Sequence, residues 1–173
     1  MLLLNSLKYL FIMGLLVFLQ VAIFNNIDFW GYANPYFYLI FILLLPFSDN
    51  KFLVLLLAFI LGLSIDFLEN TGGVNAFASV FVAYIRYFIV GILTANSSKG
   101  DDELHLSQLN LVQWILYLAI MIFIHHFLVD FLESFKFSMA GNIAIKSILG
   151  SVITFILISG VLFFIPISNR NEY

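Results

Sequence analysis

Few residues in this chain could do chemistry, and the clearest are a lone acid and a lone base. Asp66 and Arg86 each stand inside an apolar run, and a short polar turn joins the two runs. An ionisable side chain at the centre of a membrane helix costs ~2.5–3.5 kcal/mol on insertion scales, so it normally faces a partner helix or a wet cavity. Three chemistries fit. The two charges can form a structural ion pair that fixes helix register. They can bound a binding site, with Gln20 as a third inward polar group. They can belong to a proton relay, although a relay usually spreads more carboxylates along one path.

A second set lies further on. His126, Asp130 and Glu133 follow i, i+4, i+7 spacing and share one helix face. Imidazole with two carboxylates can ligate a divalent metal. The pattern is not HExxH, however, and no second pair of ligands accompanies it. The plainer expectation is a polar cluster at the membrane surface, with Lys146 pairing Asp130 at similar depth. No nucleophile elbow, phosphate loop or dinucleotide fingerprint is present. Cysteine is absent, which excludes disulfides, thiol catalysis and Cys-ligated metals. The expectation is therefore no catalytic site, no metal and no cofactor.

Composition sets the solvent these residues face. Of 173 residues, 63% are hydrophobic and 10% charged, with a mean hydropathy of +1.09. Soluble domains average about half apolar and a quarter charged. The apolar residues fall in runs near the ~20 needed to span hydrocarbon. This predicts an all-α integral membrane protein forming a single polytopic domain over residues 1–173. Net charge is −3, and no basic block suggests nucleic acid. The first apolar run is longer than a signal-peptide core and lacks a cleavage site, so it reads as a retained helix.

About six transmembrane helices are expected, over 7–24, 35–47, 52–68, 74–95, 111–132 and 141–165. Trp30 and Tyr32 suit a membrane interface. The second segment, opening at Pro35, is too short to cross an ~30 Å core upright as a helix. With six spans, Lys8, Lys51, Lys99 and Arg170 fall on one side, and Lys136 and Lys146 on the other. The bias of basic residues predicts a cytoplasmic N-terminus and C-terminus. A five-span alternative, with the second segment re-entrant, would move Lys99 and Arg170 to the opposite side. The acidic run at 101–103 reads as a solvated loop.

Small residues let helix backbones approach closely in lipid. Ala58 and Gly62 share a stripe with Asp66. Ala76, Ser79 and Ala83 share one with Arg86. The two stripes predict a packed hairpin whose charges point inward, offset in depth by roughly 10 Å. Gly72 and Gly73 are expected to take positive φ in the turn. In the last segment, Ala140, Ala144, Ser147, Ser151 and Thr154 form another small and polar seam.

The central stretch resembles the rod shape-determining protein MreD family. The likeness lies in Gly62-x-x-x-Asp66, the turn at Gly72-Gly73, and the following helix with Ala83-Tyr84. Upstream, Leu19-Gln20 and Asn34-Pro35 also fit. The likeness covers roughly residues 15–95, while the last two segments match only in hydropathy. The chain departs from the pattern at Glu69-Asn70-Thr71 and at Arg86.

The resemblance implies a role rather than a reaction. It implies a non-enzymatic scaffold of bacterial cell-wall elongation in the cytoplasmic membrane. Its partners would be MreC and, within one complex, MreB, RodA and a class B penicillin-binding protein. It also implies a fold similar to the S components of energy-coupling-factor transporters. Fold likeness does not carry function. A vitamin-type transporter subunit using Gln20, Asp66 and Arg86 is therefore the alternative, and a membrane enzyme using the His126–Glu133 face is a third reading.

Overall fold

A computed structural model describes residues 2–26, 34–47, 50–95, 106, 109–134 and 140–164, with no strand among them. Trp30, Tyr32, Lys99, the acidic run at 101–103, Lys136 and Arg170 lie outside these residues, and only the backbone of Ala140 is described. The elements are α1 (Leu2–Ala22) with a 3-10 turn at Phe24–Asn26, α2 (Leu39–Leu44), α3 (Lys51–Glu69), α4 (Val74–Thr94), α5 (Leu111–Ser134) and α6 (Ala140–Phe164). Five helices, all but α2, are long and apolar enough to cross a bilayer. The protein is an all-α membrane protein whose outward side chains, such as Phe11, Phe67, Phe88 and Phe163, are large and apolar.

Local chemistry explains where the helices begin and end. Asn50 caps α3 by accepting from the Phe52 amide at 3.0 Å. Asn70 closes α3 in the left-handed conformation at φ 59°, which asparagine tolerates better than most residues. Gly72 and Gly73 follow at φ 67° and 98°, so both turn glycines adopt positive φ. Asn110 and Gln113 exchange side-chain and backbone bonds at 2.9 Å in both directions. That reciprocal cap starts α5, and the Gln113 amide ties it to the Leu93 carbonyl at the end of α4.

The second segment differs from the expected helix over 35–47. It is helical only from Leu39 to Leu44, about 9 Å of rise. Residues 36–43 are almost wholly enclosed by the other helices. The helix starts late because side chains, not helical carbonyls, hold the amides of Tyr36 and Tyr38.

This broken segment nevertheless passes from one end of the bundle to the other. Asn25, just past α1, bonds Glu69 at the end of α3, so α1 and α3 run parallel. Phe24, just past α1, packs on Phe37, and Tyr9 on α1 packs on Phe41, so the segment descends antiparallel to α1. Lys51 then sits over Tyr87, near the far end of α4. Among the described residues there are five long helices and one broken passage between α1 and α3. The α5–α6 pairs His126–Thr154 and Lys146–Asp130 make α6 antiparallel to α5. Consequently α1 begins and α6 ends at the same end of the bundle.

The core is built on the α3–α4 hairpin. Ala58, Gly62, Ala76, Ser79 and Ala83 are all buried along the facing stripes. At Gly62 the backbones nearly touch: a Cβ there would lie 2.5 Å from the Asn75 carbonyl oxygen and 2.6 Å from the Ala76 Cα. We expect Gly62→Ala to destabilise the protein by about 1–3 kcal/mol through overpacking. Gly91→Ala, where an added Cβ meets nothing within 4 Å, should leave stability unchanged or slightly raised. Thermal unfolding in detergent compares the two variants.

Candidate functional site

Several buried polar residues converge on the broken segment. Its backbone lacks the continuous hydrogen bonding of a helix, and each unsatisfied group in a membrane interior costs several kcal/mol. Four helices supply the missing partners. Gln20 on α1 donates to the Pro35 carbonyl at 2.9 Å and accepts from the Tyr38 amide at 3.2 Å. Thr154 on α6 accepts from the Tyr36 amide at 3.1 Å. Arg86 on α4 donates to the Ile42 carbonyl at 2.6 Å and the Pro46 carbonyl at 2.8 Å. Tyr117 on α5 donates to the Leu43 carbonyl at 3.2 Å.

Arg86 is thus a cap on α2 and its exit turn. It is fully buried, and its guanidinium lies 4.4 Å from the Phe47 ring centroid and 5.1 Å from that of Tyr87. Two carbonyls and two aromatic faces stand in for the water it has lost. Its Nε finds no partner. Among the described residues no carboxylate lies within ion-pair distance of it.

Asp66 performs the complementary task at the hairpin. Its carboxylate accepts from the Asn75 amide at 3.0 Å and the Ala76 amide at 2.8 Å, satisfying orphan donors at the start of α4. The Asn75 side chain adds a bond at 3.2 Å, and the Thr71 hydroxyl adds another. The Asp66 carbonyl also accepts from the amides of Asn70 and Thr71. One residue therefore ties the end of α3, the turn and the first turn of α4 together. A carboxylate is favoured at a helix N-terminus by the local dipole as well as by these bonds.

The direct Asp66–Arg86 pair is a reading the structure corrects. Asp66 meets α4 at Asn75 and Ala76, and Arg86 lies ten residues beyond Ala76, about 15 Å along the helix. Each charge is held by backbone groups instead. The inward set Gln20, Asp66 and Arg86 bonds three different stretches of backbone.

A hydrogen-bonded chain runs inward from Asp66. Asn75 contacts Asp66, the Tyr38 hydroxyl donates to Asn75 Oδ1 at 3.0 Å, and His125 Nε2 lies 2.9 Å from that hydroxyl. With the Tyr38 hydroxyl donating to Asn75, the contact suits the His125 tautomer that carries its proton on Nε2. His125 Nδ1 has no partner among the described residues. The carboxamide of Asn75 accepts on one atom and donates from the other, so it interrupts proton transfer between Tyr38 and Asp66. This orientation fits a structural chain rather than a relay. A parallel chain links Glu69 through Asn25 to Gln20.

The second candidate set is divided. His126 Nε2 meets the Thr154 hydroxyl at 2.9 Å, and its ring lies over Gly150, where a Cβ would come within 2.7 Å. Asp130 pairs with Lys146 at 2.9 Å and accepts from Ser147 at 2.7 Å. Glu133 lies 3.7 Å from Lys146. Among the described residues no cluster of three or more His, Cys, Asp or Glu side chains is arranged to hold a metal. Ser147, Ser151 and Thr154 are buried, so the α6 seam faces α5 within the molecule. Tyr38, Asn75, Tyr117 and His125 were not singled out by sequence reasoning. Asn75 alone carried a signal, as an amide one residue inside an apolar helix that follows two glycines.

Asp66→Ala should cost roughly 2–5 kcal/mol, because it orphans two buried amides. Asp66→Asn should cost less, since its oxygen can still accept from one of them. Arg86→Lys should also destabilise, because an ammonium cannot present the planar fork that spans two carbonyls. Unfolding of the purified variants ranks these effects. Equal loss in Asp66→Ala and Asp66→Asn would contradict the capping role.

No family model, curated protein or solved structure matches the chain.

Proposed function

We propose that the chain is a non-enzymatic membrane scaffold of the bacterial cell-wall elongation machinery, of the MreD kind. It maintains cell shape by binding MreC and, within the same complex, RodA, a class B penicillin-binding protein and MreB. It lies in the cytoplasmic membrane with both termini in the cytoplasm. The end of the bundle that holds the start of α1 carries Lys8 and Lys51, as the basic bias of cytoplasmic ends requires.

One observation carries this reading: Gln20, Gly62, Asp66, Gly72 and Gly73 of the resemblance gather at one end of the bundle, while Ala83 and Tyr84 lie further along α4. Gln20 bonds Pro35, Gly62 admits the first turn of α4, Asp66 caps that turn, and Gly72 and Gly73 make the turn itself. Most of a pattern scattered along the first half of the sequence is drawn into one neighbourhood, which favours a shared fold over coincidence. The departures from the pattern are absorbed there too. Thr71 bonds Asp66, and Glu69 bonds Asn25. Gln20, Asp66 and Arg86 are committed to the protein's own backbone, and the outer surfaces are free to take partners.

A tagged chain extracted in mild detergent from its native membrane should bring MreC with it. Intact tagged protein that repeatedly elutes without MreC would contradict the scaffold reading. So would depletion of the protein without any change in cell shape.

A further inference from the structure

The outward face of α4 carries an aromatic stripe. Phe77, Phe81, Tyr84 and Phe88 follow helical spacing opposite the buried stripe, and all four are exposed. Phe77 and Phe81 stack with ring centroids 6.3 Å apart. Tyr84 is the unusual member. It is 70% exposed, and it lies ten residues from both Val74 and Thr94, at the centre of α4. That is about 15 Å from either end, which is about half the thickness of the hydrocarbon core. A tyrosine side chain is less than half that long, so it cannot lift its hydroxyl to the headgroups.

Tyrosines in membrane proteins concentrate at the interfaces, where ring and hydroxyl both find suitable surroundings. A phenol facing acyl chains at mid-depth has no hydrogen-bond partner, and that is costly. Among the described residues no hydrogen bond to the Tyr84 hydroxyl occurs. A partner that meets this face must therefore present a polar group at the same depth.

We infer that this face of α4 is the interface for a second copy of the chain. All copies insert in one orientation, so a two-fold axis along the membrane normal brings the same surface of each copy together. Tyr84 then opposes the partner's Tyr84 at equal depth, with no further requirement on sequence. One phenol donates and the other accepts. The flanking phenylalanines meet their symmetry mates in offset or edge-to-face contacts, the arrangement aromatic rings prefer.

The absence of cysteine makes the test direct. Single Phe81→Cys and Phe88→Cys variants, treated in native membranes with a short bifunctional maleimide, should give a cross-linked species of twice the chain mass. Phe18→Cys on α1, also outward-facing, should not. Adding Tyr84→Phe to the Phe81→Cys variant should weaken dimerisation about three- to thirty-fold, the range for one interhelical hydrogen bond in lipid. Four results would overturn the inference: no dimer at either position, equal cross-linking at Phe18→Cys, adducts only to a protein of different mass, or a dimer indifferent to Tyr84→Phe.

Discussion

Backbone polar groups that leave a helix inside a membrane must be satisfied by the protein. In this chain that constraint falls on one segment. Residues 34–47 cross the bundle with a helix of only six residues, and the amides and carbonyls on either side of it need partners. Gln20, Arg86, Tyr117 and Thr154 provide them from α1, α4, α5 and α6. The burial of these four side chains follows from that constraint, whereas Asp66, Asp130, Ser147 and Ser151 bond elsewhere in the bundle.

The α3–α4 hairpin gives the segment a fixed wall. Gly62 brings the two backbones together, and Asp66 holds the turn so that α4 starts in a defined register. From that start, Arg86 falls level with the exit of α2. Both buried charges sit where backbone groups carry the complementary partial charge: the acid on amides, the base on carbonyls. Charge-assisted bonds of this kind are roughly twice as strong as neutral ones. That strength explains how two ionised side chains are tolerated in the same bundle without pairing.

Part of this was legible in the sequence. The i, i+4 spacing of Ala58, Gly62 and Asp66 identified the packed face of α3, because small residues have few other uses in an apolar helix. The glycines marked the turn for their backbone freedom. The shortness of the second segment was also readable. Its broken, fully enclosed path was not, because Pro35 followed by apolar residues reads the same for a helix start and for an extended entry. The partners of Arg86 were hidden for a related reason. Carbonyl acceptors have no sequence signature, so a base in an apolar run suggests an acid. Tyr38 reads as bulk among many aromatic residues, and only the fold places its hydroxyl between Asn75 and His125.

The central claim is that Asp66 and Arg86 act independently, each on its own backbone junction. A double-mutant cycle on unfolding free energy, with Asp66→Asn, Arg86→Met and the double variant, tests it most directly. The account predicts additivity within about 0.5 kcal/mol, as for sites without shared partners. A coupling energy well above about 1 kcal/mol, with the double variant more stable than the sum of the singles implies, would mean that the two charges meet and would contradict it.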